Sequence, residues 1–168
     1  CKFYLENKIN VFCEKPLTLN YKQSKHLFEI ASKNKCVLYV DDIEVFKNKK
    51  IILNNKNFII RKKMDKGSKI SLFERLFYHD IYLIYKKIIK KKFKIKFYKS
   101  KVLNFDMAFG KMIINFYYDI NSPKKIHKIN EVNFLNFKGN PLEKMIKYVF
   151  KLKKLDLENR DRSLFALK

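Results

Sequence analysis

The stretch Val11-Phe-Cys-Glu-Lys-Pro-Leu17 decides the fold, because three apolar residues are followed abruptly by two charged residues and a proline. The apolar run suits a buried strand, and Pro16 fixes the backbone conformation just beyond the end of that strand. In open α/β sheets, ligands bind beyond the carboxyl ends of parallel strands, which is where this pattern places Lys15. From the residues alone, a charged loop that merely follows a strand is the preferred interpretation.

A strand, a helix and a second strand surround this motif. Strand 9–13 is followed by a predicted helix over 21–35 and by a short apolar strand over 36–40. Asn20 and Gln23 have the spacing of a capping box, which predicts where the helix begins. This order and these lengths are typical of half a parallel α/β unit with a right-handed crossover.

The pattern changes after about residue 44. Residues 51–53 and 57–61 predict a hairpin around Asn54 and Asn55, and Ser71 is predicted to begin a helix that reaches about Lys90. The remaining elements are strands and then two helices, over 93–97, 102–109, 112–120, 125–129, 132–137, 142–152 and 159–168. Because the strands are consecutive and the links short, we expect a mainly antiparallel sheet with helices on one face. The expected class is therefore α/β (α+β), with a parallel unit over 1–44 and a sheet domain over 45–168.

The charge of the chain is strongly positive, but its composition weakens the usual inference from that charge. The 168 residues carry 39 basic and 16 acidic side chains, a net charge of +23, which normally suggests a nucleic-acid or anionic-surface partner. Only four basic residues are arginines, and Gly and Pro are scarce while Phe and Tyr are abundant. Such usage is typical of A/T-rich codons, so coding bias explains much of the lysine excess. A non-enzymatic basic binding module stays open as the alternative function, and its best feature is the alternation of aromatic residues with Lys over 93–98.

Several classes of protein are excluded or disfavoured by simple counts. A hydrophobic content of 47% excludes a disordered chain, and no run of about 18 apolar residues predicts a membrane span. The cysteines at 1, 13 and 36 lack metal-ligand spacing, so we expect no metal site and a reducing, cytoplasmic compartment. The chain begins with Cys1 rather than Met, which fits a fragment of a longer protein.

Two segments resemble those of a known family. The segment from Asn10 to Asn20 closely resembles the Glu-Lys-Pro signature of the Gfo/Idh/MocA oxidoreductases, and Leu76 to Ile84 resembles their His-Asp helix motif. The last helices are similar to those of the family, so the resemblance spans nearly the whole chain but is specific only in these two segments. It implies that residues 1–44 end a Rossmann-type dinucleotide-binding domain and that residues 45–168 form a substrate and oligomerisation domain. Glycines occur only at 67, 110 and 139, so the Gly-rich fingerprint of the first βαβ unit is missing.

The resemblance also implies a function. It implies an NAD- or NADP-dependent oxidoreductase that transfers hydride between nicotinamide and the carbinol carbon of a sugar, nucleotide sugar or polyol. Lys15 is implied to orient cofactor and substrate, with Glu14 and Pro16 beside the cofactor, and His79 is implied to act as acid/base. The implied partners are a sugar-like small molecule and further copies of the same chain, which meet through the sheet domain, and neither a membrane nor nucleic acid is expected.

One position departs from the family pattern. Many members carry an aspartate four residues before the histidine, on the same helix face, whereas this chain has Arg75. An arginine does not raise imidazole basicity as a carboxylate does, so a substrate contact, weakened catalysis or an inactive relative are alternatives.

Three aspartates are further candidates for contacts with the substrate. Asp41 and Asp42 follow the second strand, and Asp80 follows His79. A hinge loop for the first two and a salt bridge for Asp80 are the alternative interpretations. The other two histidines, at 26 and 127, are predicted to lie at the surface.

Overall fold

The computed structural model describes residues 1–64, 76–89 and 91–167. In chain order the elements are α1 (Lys2–Glu6), β1 (Val11–Cys13), α2 (Tyr21–Lys33), β2 (Leu38–Val40), β3 (Lys56–Met64), α3 (Tyr78–Ile88), β4 (Lys94–Phe97), β5 (Leu103–Phe109), β6 (Met112–Asp119), β7 (Asn121–Ile129), β8 (Val132–Asn133), α4 (Pro141–Lys151) and α5 (Leu157–Phe165). A short 3₁₀ turn covers Val45–Lys47.

The chain forms two compact units. The first contains Cys1–Phe46 and Gly139–Lys168, and the second contains Lys47–Lys138. The first break lies near the change of pattern at residue 44. Residues 139–168, which sequence analysis groups with the second part, instead lie in the first unit, because α4 and α5 pack on its parallel sheet.

The first unit is a parallel two-stranded sheet with helices on both faces. β1 and β2 run in parallel, with Val11 opposite Leu38 and Cys13 opposite Val40. Successive side chains of a strand point to opposite faces, and all three residues of β2 are buried. On one face, Leu38 and Val40 pack with Leu5, Phe28, Ala31 and Leu164 of α1, α2 and α5. On the other face, Val37 and Tyr39 pack with Met145 and Val149 of α4.

Helix α2 begins where the capping pattern predicts. The Asn20 side-chain oxygen accepts a hydrogen bond of 3.1 Å from the Gln23 amide, which satisfies one of the free donors at the helix start. Ser24, Phe28 and Ala31 are buried at the spacing of one helix face. The predicted strand, helix and strand are thus confirmed.

The second unit is a six-stranded sheet in the order β4-β5-β6-β3-β7-β8. Four of its five strand pairs are antiparallel, and β3 and β6 are parallel. Alternate residues of β6 are buried, and Phe77, just before α3, packs its ring against Phe105 and Phe116 on that inner face. The mainly antiparallel sheet with a helix on one face is therefore confirmed.

Strand β3 lies between β6 and β7, although those two strands are separated by a single residue in the sequence. The predicted hairpin over 51–61 is therefore wrong. Residues 51–53 form no strand, because both edges of β3 are already paired with β6 and β7. The Asn57 side chain instead folds back and accepts a hydrogen bond of 2.8 Å from the Asn54 amide.

Within the described residues, no helix has the length and apolar character needed to cross a membrane.

Candidate functional site

The Glu-Lys-Pro motif lies at the carboxyl edge of the parallel sheet. The Asp41 amide donates a 2.9 Å hydrogen bond to the Cys13 carbonyl oxygen, so both strands end at the same edge. Glu14 is exposed and Lys15 is half-buried, and the peptide bond between Lys15 and Pro16 is cis. Within the first unit, the fold thus brings the Glu-Lys-Pro motif and the Asp41-Asp42 pair together, as the parallel arrangement predicts.

Asp41 and Glu14 form a carboxyl pair at this edge. The Asp41 side chain is buried, accepts a 2.9 Å hydrogen bond from the Ile43 amide and is hydrogen-bonded to Glu14. Burial raises the pKa of Asp41 to about 6, and the neighbouring Glu14 and Asp42 act in the same direction. Asp41 therefore keeps its proton to a higher pH than an isolated aspartate does.

Asp42 has a different environment, although it is the next residue. Its carboxylate accepts hydrogen bonds from the Tyr39 hydroxyl at 2.7 Å and from the Asn159 side chain at 3.2 Å, and it pairs with Arg162. Burial raises the pKa of Asp42 even though the Arg162 charge opposes it. With 1% of its surface exposed, Asp42 ties α5 to the end of β2.

In the second unit, His79 lies on the more accessible side of α3. His79 and Leu83 are partly exposed and Lys86 is exposed, whereas Tyr78, Ile81, Tyr85 and Ile88 are buried. The apolar stripe with helical spacing that forms the core face of α3 begins at Tyr78, and His79 and Leu83 lie beside that stripe. His79 therefore lies on a side of α3 that is only partly buried within the second unit.

Asp80, the next residue of α3, is fully buried and is held by three side chains. Arg61 approaches through Nε and Nη2 at 2.9–3.0 Å, and the Tyr118 hydroxyl and His127 Nε2 each lie 2.9 Å from a carboxylate oxygen. Burial alone would raise the pKa of Asp80, but the charges of Arg61 and His127 and their hydrogen bonds outweigh it and lower the pKa. Asp80 is thus a stable carboxylate inside the second unit.

His127 was missed by sequence reasoning. It is 3% exposed rather than at the surface, and its ring packs against Phe134 at 4.9 Å between centroids. The feature that could have revealed this burial is the alternation of β7, in which His127 and Ile129 are buried on either side of the exposed Lys128. Its partner Asp80 is 47 positions away, so nothing local reveals the contact. His26 is exposed, as predicted.

Three further points concern Arg75, a metal site and the basic segment 93–98. Arg75 lies outside the described residues. In the part of the chain that the structure describes, no three His, Cys, Asp or Glu side chains are grouped to hold a metal ion. The aromatic residues of the basic segment 93–98 pack partly on the sheet, with Phe93 against Phe109 and Phe97 against Phe105.

Comparison with known proteins connects this geometry to a family. Residues 1–42 match the Gfo/Idh/MocA family model, which is described as an oxidoreductase family with an NAD-binding Rossmann fold. No curated protein sequence matches the chain significantly.

Solved structures share the fold at low sequence identity. UDP-N-acetylglucosamine 3-dehydrogenase GnnA from Acidithiobacillus ferrooxidans is 13% identical with a TM-score of 0.77, over 99% of this chain and 71% of that enzyme. A Gfo/Idh/MocA family oxidoreductase from Vibrio cholerae is 13% identical with a TM-score of 0.70, over 99% and 70%. The WlbA dehydrogenase from Thermus thermophilus, solved with NAD and UDP-GlcNAcA, is 12% identical with a TM-score of 0.72, over 99% and 65%. The family match confirms the resemblance over the segment that contains the Glu-Lys-Pro motif, and the solved structures share the fold of the whole chain.

Proposed function

Because the chain has the fold of Gfo/Idh/MocA oxidoreductases and matches their family model over residues 1–42, we propose that it serves hydride transfer between NAD or NADP and a carbinol carbon. The substrate class is a sugar, a nucleotide sugar or a polyol, since GnnA is named for such a substrate and WlbA was solved with one. The observation that carries the proposal is the Glu-Lys-Pro motif at the carboxyl edge of a parallel sheet, inside the segment that matches the family model.

Lys15 is the residue of the first unit that we assign to catalysis. It is half-buried at the strand edge, and its ammonium group donates up to three hydrogen bonds. There it orients a substrate hydroxyl and a ribose hydroxyl of the cofactor, with Glu14 and Pro16 forming the adjacent wall. Asp41 borders the same edge, and its carboxyl group accepts a hydrogen bond from a sugar hydroxyl.

His79 is the residue of the second unit that we assign to catalysis. Its imidazole accepts the proton of the substrate hydroxyl as the carbinol carbon is oxidised, and it returns that proton in the reverse reaction. Its position on the accessible side of α3 supports this role. Arg75, four residues earlier in the sequence, is assigned to bind an anionic group of the substrate, such as a phosphate.

We assign Asp42 and Asp80 a supporting role rather than a contact with the substrate. Both carboxylates are buried and hydrogen-bonded to neighbouring side chains, so their contribution is to hold the segments that carry the accessible groups.

The residues fit only one end of the cofactor. When bound, NAD or NADP supplies the hydride acceptor or donor. Lys15 and its neighbours fit the nicotinamide ribose, whereas the pyrophosphate requires a Gly-rich turn at a helix N-terminus, and the three glycines of this chain are isolated. The unpaired thiols Cys13 and Cys36 suit a reducing compartment, so we place the protein in the cytoplasm.

A hydride-transfer assay tests the proposal. The 168-residue chain is incubated with millimolar NAD⁺ or NADP⁺ and with UDP-N-acetylglucosamine or myo-inositol, and reduced cofactor is measured. We expect slow turnover that falls at least about 100-fold in His79→Asn and in Lys15→Met. His26→Asn is the matched control, because His26 is an exposed histidine on α2, and this variant is expected to keep the native rate. Absence of reduced cofactor with every substrate class contradicts the proposal.

A further inference from the structure

The three donors to Asp80 form a straight row across the sheet. Arg61 of β3 is directly opposite Tyr118 of the parallel neighbour β6 and directly opposite His127 of the antiparallel neighbour β7. The three side chains therefore stand side by side on the inner face, and all reach one carboxylate on α3. A shift of either pairing by one residue would turn a donor to the other face.

Any rotation of α3 about its axis moves Asp80 relative to this row. Asp80 and His79 are consecutive, so their side chains leave the helix about 100° apart. A side-chain tip lies about 5–6 Å from the helix axis, so a rotation of about 10° moves it by about 1 Å. That movement breaks the 2.9 Å contacts of Asp80 with Tyr118 and His127. Aromatic packing around Phe77 is less directional, because ring contacts tolerate a range of angles.

We propose that Asp80 is a positioning residue, whose carboxylate, held by Tyr118, Arg61 and His127, fixes the rotation of α3 and thereby the direction in which His79 points. The inference rests on the proposed function, because it takes His79 as the group that exchanges a proton with the substrate. A displacement of about 1 Å at a reacting group lowers catalysis by roughly 100-fold, so control of this rotation has a direct effect on turnover.

Burial of the network supports a positioning role rather than a purely stabilising one. The side chains of Asp80, His127 and Arg61 are 0%, 4% and 12% exposed, so their desolvation offsets much of their attraction. Apolar residues in place of the whole network would fill the same core without that cost. The ionic row instead fixes the orientation of the Asp80 carboxylate. Its donors on Arg61, Tyr118 and His127 approach the carboxylate at defined angles.

Histidine NMR on the full chain tests the inference without any assay of activity. The chain has three histidines, so protein labelled in the histidine rings gives one set of ring signals for each of His26, His79 and His127. The exposed His26 serves as an internal reference. Tyr118→Phe removes one hydrogen bond from Asp80, and Asp80→Asn removes its charge. We expect the ring signals of His79 to shift and broaden in both variants, while the His26 signal does not change.

Tyr39→Phe is the matched control. It removes the same kind of bond, a buried tyrosine hydroxyl to an aspartate at 2.7 Å, but in the first unit. We expect it to leave the His79 signals unchanged. In the hydride-transfer assay, Tyr118→Phe is expected to lower kcat about 10-fold or more with KM nearly constant, because orientation rather than binding is lost.

Two outcomes separate this inference from the proposed function. Suppose that the Tyr118→Phe variant folds and that its His79 signals and their pH titration equal those of the native protein. The positioning role is then overturned, whatever the enzyme assay shows. If the His79 signals change but the native chain reduces no cofactor, the positioning role stands and the proposed reaction falls. If Asp80→Asn does not fold, Tyr118→Phe decides alone, since it lacks only one hydrogen bond.

Discussion

The oxygen and the nitrogen of the Asn159 side-chain amide both hydrogen-bond to the backbone of Val40. Its Oδ1 accepts from the Val40 amide at 2.9 Å and its Nδ2 donates to the Val40 carbonyl oxygen at 2.8 Å, so it imitates a neighbouring strand. Removing it in Asn159→Ala leaves two buried backbone groups without these partners. We expect a loss of about 2–4 kcal/mol in the free energy of unfolding, measured by urea denaturation. Asn7→Ala, at an exposed side chain, is the control, and equal stability of the two variants would contradict the role of Asn159.

Asp41→Asn is expected to stabilise the protein above pH 6. The pKa of Asp41 is raised by burial from 3.8 to about 6, so ionisation of Asp41 opposes folding progressively between those values and fully above them. The amide carries no charge and still accepts from the Ile43 amide. The gain in unfolding free energy should be near zero at pH 4 and reach at most about 3 kcal/mol at pH 7. A variant that is less stable than the native chain at pH 7 would refute this, and Glu29→Gln, at an exposed carboxylate, is the control.

The 168-residue chain is expected to bind NAD⁺ only weakly. The residues that match the family model include the strand edge of Lys15 but no Gly-rich turn, so the pyrophosphate has no helix N-terminus to receive it. Titration calorimetry should give a dissociation constant no tighter than about 1 mM, whereas micromolar binding would show that another site holds the cofactor.

Phe58→Lys is expected to disrupt association of the chain with a second copy. Phe58 is 52% exposed on the sheet face opposite α3, and the partly exposed Ile113 lies on the same face. Sedimentation equilibrium should show a dimer or larger assembly for the native chain and a monomer for the variant. Phe150→Lys, at an 82% exposed side chain in the first unit, is the control. A native chain that is monomeric at high concentration would exclude this interface.

The sequence predicted best those features that depend on neighbouring residues. The parallel unit, the start of α2 at Asn20 and the alternation of β6 follow from periodicity and capping, and the structure confirms them. The position of Glu14 and Asp41 at one edge of the sheet was also predictable, because the carboxyl ends of neighbouring parallel strands lie at the same edge.

The features that the sequence did not reveal depend on pairing between distant segments. Arg61 meets Tyr118 through the parallel pair of β3 and β6, and no local pattern distinguishes that pairing from a hairpin. His127 looked like a surface residue because its neighbours are lysines, whereas its buried partner is on a helix 47 positions earlier. The side of α3 on which His79 lies could not be predicted, because the helix is apolar on most sides and the direction of its core face is ambiguous in the sequence.

The insertion of β3 between β6 and β7 fixes the order in which the second unit can assemble. β4, β5 and β6 can pair in sequence, and β7 can pair with β8, but these two groups of strands join only when β3 has arrived from more than 50 positions upstream. Without β3, the two flanking strands would face each other across a gap of about 9–10 Å, twice the normal spacing. Sheet completion therefore waits for the slow closure of a long loop. Until then the inner face that includes Tyr118 and His127 is open to water, and Asp80 has neither its buried site nor its three donors.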